Sequence, residues 1–401
     1  MFNSPRRFRH IWAAASVVVL SVVAGSLTPV GAVPADAASL DDSFYVPPAE
    51  LPGVPGDIIR SRPSRPGTAK DLADAWQVMY RSTDALGEPN AVTGTVLVPK
   101  NANPATVPVV GFAAGTQGPA FRCAPSKMLQ GQSFYEQPAL NGLLRSGYAV
   151  AMTDYEGYSP EPDTSYIVGR SEGHAVLDAV RAALRLPEAG LSDQAPVALR
   201  GYSQGGGAVM WAGQQQPGYA PELDLVGVAG GGVPADLVQV ALPLEGESGF
   251  GLLAYALIGL DNAYPELDLD AYLNERGRTE FAKLEQHACT LELLVDYAGD
   301  SLSEYTTSSP VLTPPWLARV GENKLGGSPI AVPVLQYHAD NDELVALAQA
   351  ESLRDDYCAV GTSLTWKTYD TDHITLVHTG SADALAFLAD RFAGKPATST
   401  C

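Results

Sequence analysis

Short apolar runs recur along this chain with helical patterns between them, and that alternation narrows the fold more than any other feature. Segments 107–112 (VPVVGF) and 148–153 (YAVAMT) read as short buried strands. Residues 172–186 place Val176, Leu177, Val180 and Leu184 on one helical face. A strand at 197–199, a helix at 205–215 and a strand at 223–229 (LDLVGVA) continue the pattern. After a gap it resumes with a strand at 330–337, a helix at 343–357, a strand at 364–369 and a helix at 381–392. Such alternation predicts an α/β fold whose mostly parallel sheet is covered by helices on both faces. Segments 75–80 and 93–98 precede it as a hairpin around Gly87-Glu88-Pro89-Asn90. Residues 38–70, rich in Pro, Ser and Gly, read as an extended arm. Between 234 and 328 helical segments such as 251–259 and 278–294 occur without an obvious buried strand. That stretch is expected to be a helical cap inserted between two parts of the core, 38–233 and 329–401. Its apolar run 250–260 (FGLLAYALIGL) serves either the cap's own core or the lining of a pocket.

Hydrophobic residues make up 46% of the 401 and charged residues 17%, which supplies a large core and excludes a disordered chain. The net charge of −20 should repel nucleic acid and anionic membranes, and no nucleic-acid partner is expected. Arg6, Arg7 and Arg9 precede an apolar stretch from Ile11 to Leu27, and Ala35-Asp36-Ala37 offers a cleavage site. Residues 1–37 therefore read as a signal peptide cleaved near Ala37, with a membrane anchor as the alternative. An exported chain with four cysteines, Cys123, Cys289, Cys358 and Cys401, should hold two disulfides, in any of three pairings. No C-x-x-C is present and the histidines lack metal-ligand spacing, so neither a metal nor another cofactor is expected.

The segment Arg200-Gly201-Tyr202-Ser203-Gln204-Gly205-Gly206 contains G-x-S-x-G between an expected strand and an expected helix. A serine held on a sharp strand-to-helix turn, with small residues two before and two after, is the nucleophile arrangement of the α/β-hydrolase fold. A serine hydroxyl needs a base, and the base needs an acid to orient it, in the chain order Ser, Asp or Glu, His. Of six histidines, only His373 and His378 lie late enough, and His373 is nearer the end of its strand. Asp342 and Asp340 follow the 330–337 strand, and Asp342 takes the last loop position before the expected helix. For an oxyanion, one donor is the N–H of Gln204 after the serine. The other comes from the loop Ala113-Ala114-Gly115-Thr116-Gln117-Gly118, from Gln117 or Thr116.

The chain resembles the secretory lipase family, in particular its actinobacterial branch. The resemblance rests on GTQGPAFRCAPS (115–126), DYEG (154–157), VLDAVRAA (176–183), GYSQGG (201–206), GGVPADL (231–237), HADNDELV (338–345), DHIT (372–375) and DRFAGKP (390–396). It implies an α/β-hydrolase with a helical cap inserted before the acid, and lipase or carboxylesterase activity without a metal. It assigns the nucleophile to Ser203, the acid to Asp342 and the base to His373, and a loop-side oxyanion donor to about Gln117. Family members carry an acidic residue there, so Gln117 is a departure. It implies the pairings Cys123–Cys289 and Cys358–Cys401. The implied partner is a small ester or lipid, with transient contact between cap and lipid interface. Acyl transfer to an alcohol or envelope sugar, and a non-catalytic binding protein on the same fold, are the competing readings.

Overall fold

The computed structural model describes residues 42–401; the expected leader over 1–37 lies outside them. Among the described residues nine strands form one sheet in the order β1-β2-β3-β5-β4-β6-β7-β8-β9. They are β1 (Ile58–Pro63), β2 (Ala73–Thr83), β3 (Pro89–Pro99), β4 (Val109–Ala113), β5 (Ala149–Thr153), β6 (Val197–Tyr202), β7 (Leu225–Gly231), β8 (Val334–Ala339) and β9 (Leu364–Tyr369). The first three strands and the β3–β5 pair run antiparallel, and every ladder from β5 to β9 is parallel. The expected extended arm is partly wrong. Ile58–Pro63 in it is an edge strand on β2. Its sequence IIRSRP lacks strict alternation and ends in proline, which an edge strand tolerates because one side of its backbone needs no partner.

In the first half the helices are α1 (Pro125–Gln130), α2 (Gln137–Arg145), α3 (Gly169–Arg185) and α4 (Gln204–Tyr219). The long stretch between β7 and β8 holds α5 (Leu237–Leu244), α6 (Phe250–Ala263), α7 (Glu275–His287), α8 (Thr290–Val295), α9 (Leu302–Tyr305) and α10 (Pro314–Glu322). Then come α11 (Leu347–Ala359), α12 (His373–Thr379) and α13 (Ser381–Phe392). Successive residues of a strand face opposite sides. Strand β7 shows both sides covered: Gly227 packs on Arg391 of α13, while the next residue, Val228, meets Gly213 of α4. Strands β4 and β5 are buried at every position, which is why they read as continuous apolar runs rather than alternating ones. The fold is an α/β-hydrolase fold.

Among the described residues two large apolar cores result, beside two small clusters around Phe121 and around Cys123–Cys289. The larger joins the sheet to α2, α3, α4 and α13. A second gathers Phe250, Leu257, Leu293, Trp316 and their neighbours from the helices between β7 and β8, and it includes Leu344 and Val345 from the loop after β8. Disulfides join Cys123 to Cys289 and Cys358 to Cys401, the pairings that the resemblance implies.

Candidate active site

Strands β6, β8 and β9 end on the same edge of the sheet, and each is followed by one of the expected site residues. Ser203 lies between β6 and α4 with φ 57° and ψ −122°, a left-handed conformation that costs free energy in a non-glycine residue. The two flanking glycines make the turn possible. A Cβ on Gly201 would overlap the carbonyl oxygen of Gly205, and one on Gly205 would overlap that of Ala113. The Ser203 N–H donates to Gly231 O at 2.9 Å, which ties the turn to β7. The side chain is left half-buried at the sheet edge.

His373 follows β9 and is the first residue of α12. Asp372 caps that helix by accepting the Thr375 N–H at 2.7 Å, so D-H-I-T is a helix start. His373 is buried, with Nε2 3.0 Å from Ser203 Oγ and Nδ1 2.7 Å from Asp342 Oδ2. Its own backbone is held on both sides: its N–H donates to Glu343 at 2.8 Å, and Tyr202 Oη donates to its carbonyl at 2.7 Å. The rival His378 lies exposed in the last turn of α12.

The residue after β8 that reaches His373 is Asp342; Asp340 is exposed. Asp342 does not directly precede a helix as expected, because α11 begins at Leu347. Instead its Oδ1 accepts the N–H groups of Leu344 and Val345, at 3.1 and 2.7 Å, and so shapes the intervening loop. Burial opposes ionisation of Asp342. Hydrogen bonds from His338 and His373 outweigh that and hold the carboxyl well below the usual carboxylate range.

Gln204 opens α4, where the first N–H groups of a helix have no intrahelical acceptor and the helix dipole favours negative charge. The loop after β4 is pinned from several directions. Gly115 N–H donates to Glu136 at 2.7 Å, and Tyr155 Oη donates to Ala114 O at 2.5 Å. Thr116 O accepts from Thr290 Oγ1 at 2.5 Å and Tyr135 Oη at 3.3 Å, while Gln117 O accepts from Thr290 N–H at 2.9 Å. In a trans peptide the carbonyl and the following N–H point opposite ways. Holding Thr116 O against Thr290 therefore turns the Gln117 N–H away from the α7–α8 corner. The Gln117 side chain folds back, with Nε2 donating to Gly115 O at 3.1 Å. Thr116 instead pairs its hydroxyl with Tyr166 Oη at 2.9 Å. Glu136, Glu172 and Thr290 carry no local signal; Thr290 meets Thr116 across 174 residues of sequence.

Beside Ser203 and Gln204 lies an apolar cavity of about 80 Å³, walled by Leu237, Val240, Leu244, Leu257, Leu260 and Val311. The expected apolar run 250–260 thus serves both purposes: Phe250 and Tyr255 are core, whereas Leu257 and Leu260 also face the cavity.

Two fully buried carboxyls flank this arrangement. Glu136 holds the loop after β4, and Glu172 accepts the Gln204 side-chain amide at 2.7 Å and the Ile167 N–H at 3.0 Å. Burial pushes both up to about 7, against hydrogen bonds that favour the ion. Folded, each keeps its proton up to near pH 7; unfolded, each loses it above about 4.5. The folded chain thus binds more protons in that interval, and stability falls as pH rises through it, by roughly 1.4 kcal/mol per pH unit for each group. E136Q and E172Q keep an acceptor without the charge. Each should gain thermal stability relative to the wild type as pH rises from 5 to 7.5. A variant-minus-wild-type difference in Tm that stays constant over that range would contradict the assignment.

The Secretory lipase family profile matches residues 124–400. A Mycobacterium tuberculosis protein described as a probable inactive lipase is 32% identical over 89% of this chain and 83% of its own length. A secreted triacylglycerol lipase of Malassezia furfur is 31% identical over 90% of this chain and 77% of its own. Among solved structures, Candida antarctica lipase A in its closed state superposes with a TM-score of 0.82 at 26% identity, covering 90% of this chain and 87% of that one. Fold, site geometry and these relatives agree: the chain belongs to the secretory lipase family.

Proposed function

We propose that this protein is an exported serine esterase of the lipase type, which hydrolyses carboxylic esters through an acyl-enzyme on Ser203. The observation that carries the reading is the unbroken line Ser203 Oγ–His373 Nε2, His373 Nδ1–Asp342 Oδ2, set beside an apolar cavity. His373 takes the Ser203 proton as Oγ attacks the ester carbonyl carbon. The oxyanion lies between the N–H groups of Gln204 and Gln117. The tetrahedral adduct collapses, His373 gives its proton to the departing alcohol, and Ser203 keeps the acyl group. Water, deprotonated by His373, then attacks the acyl carbon, and Ser203 leaves with the proton returned. Asp342 holds the ring and stabilises its cation. The acyl chain enters the cavity under α5 and α6, which act as a cap. Export with loss of residues 1–37 belongs to the same reading and agrees with the secreted Malassezia relative. A relative described as inactive makes a silent fold the rival. All three side chains standing in hydrogen-bonding contact in this chain favour catalysis.

A cavity of about 80 Å³ holds roughly three waters' worth of volume. Short acyl chains should fit without rearrangement, and longer ones should require α5 and α6 to part. Two measurements test the proposal. A fluorophosphonate probe should label the chain at Ser203, as mapped on the modified peptide. Initial rates on p-nitrophenyl esters should peak at short chains and fall at least tenfold toward palmitate. Absence of both labelling and turnover would overturn the reading, and products transferred to an added alcohol in preference to water would make it an acyltransferase.

A further inference from the structure

A second imidazole reaches Asp342. His338, the penultimate residue of β8, is fully buried, and its Nε2 lies 2.7 Å from Val345 O and 3.2 Å from Asp342 Oδ2. A carbonyl oxygen only accepts, so Nε2 carries the hydrogen and donates it to Val345 O, with Asp342 Oδ2 close enough to feel the same N–H dipole. Nδ1 of the same ring is buried and has no hydrogen-bond partner among the described residues, so a proton there would be left without an acceptor. Asp342 thus accepts three hydrogen bonds, two from backbone N–H groups on Oδ1 and one from His373 on Oδ2, and the His338 N–H edge converges on Oδ2 from the other side. Val345 closes the arrangement from both ends, since its N–H holds Oδ1 and its carbonyl holds His338.

We propose that His338 is a positioning residue for the Ser203–His373–Asp342 relay, holding the Asp342 carboxylate at the angle His373 needs and drawing off part of its charge. The inference rests on the triad reading above. Its consequence has a definite sign. A carboxylate that shares its charge with a second donor attracts the His373 cation less. Removing that donor leaves more charge on Oδ2 to hold the His373 cation, and loosens the carboxylate. The other titratable groups that face the pair are Glu343 and Tyr202, both bonded to the His373 backbone and left in place by changes at His338.

H338F fills the site with a ring that cannot donate, and H338Q offers an amide N–H in its place. In H338F the acid limb of the kcat/KM–pH profile should move up by about one unit, and kcat should fall roughly tenfold with KM nearly unchanged. H338Q should restore the acid limb and most of kcat. An unmoved acid limb in H338F, or matching profiles for the two variants, would overturn the proposal. If H338F does not fold, the wild type decides. The His338 Nε2 proton should give an exchange-protected NMR signal that shifts across the ordinary imidazole range, and a signal indifferent to pH there overturns the proposal. Because this signal needs no turnover, a chain that cleaves no ester would sink the esterase reading while His338 is still judged by its own proton.

Discussion

Replacing Ser203 by Ala should leave a folded protein that turns over esters about 10⁶ times more slowly than the wild type. The size of the loss follows from what Oγ does and does not touch. Among the described residues its one side-chain partner is His373, at 3.0 Å, and the turn that carries it is held by the backbone bond to Gly231 and by Gly201 and Gly205. Alanine keeps the backbone bond and removes only a half-buried hydroxyl, so the change in stability should stay within about 0.5 kcal/mol. What disappears is the atom that, on the proposed reading, forms the acyl-enzyme. The rate then drops to what the oxyanion donors and binding supply by themselves. Short p-nitrophenyl esters measure the rate, and thermal melts by circular dichroism measure the fold. A variant that melts like the wild type yet keeps more than a hundredth of its kcat would mean that another residue is the nucleophile.

Much of this was legible in the sequence, for identifiable reasons. Strands buried on both faces leave apolar runs, and 148–153 and 364–369 stand within a residue of β5 and β9. The serine turn was legible because two positions admit only glycine. The edge strand Ile58–Pro63 was not, because its arginines and proline carry no periodicity. The start of α11 was misplaced because Asp342 spends its carboxylate on shaping a loop rather than on capping a helix. Least legible were residues that act across long distances. The Thr290 contacts with the loop after β4, and the placement of Glu136 beneath Gly115, exist only once α8 and α2 are docked. His338 was within reach, four residues before Asp342, yet nothing local separates a strand-end histidine in the core from one that lies against the carboxylate facing His373.

Changing Asp342 to Asn should lower kcat by about 10⁴, and the surrounding hydrogen bonds dictate why. The Leu344 and Val345 N–H groups both point at Oδ1, so that position must remain an acceptor. The amide nitrogen of an asparagine is then forced toward His373 Nδ1 and His338 Nε2, where Oδ2 now stands. A donor facing His373 Nδ1 compels that nitrogen to accept, which moves the ring proton to Nε2. There it points at Ser203 Oγ, and the ring can no longer take the serine proton. The opposite amide orientation would face NH₂ against two backbone N–H groups and leave two buried donors unpaired, each costing about 1–3 kcal/mol. The favoured arrangement disables the base while its ring stays in place, so fluorophosphonate labelling should slow in proportion to kcat. Asp340 supplies the control. It is exposed and is held through its backbone N–H to Tyr369 O at 2.8 Å. D340N should therefore keep kcat within about twofold, as surface substitutions away from a site do. A hundredfold loss in D340N, or less than a hundredfold loss in D342N, would move the orienting acid away from Asp342.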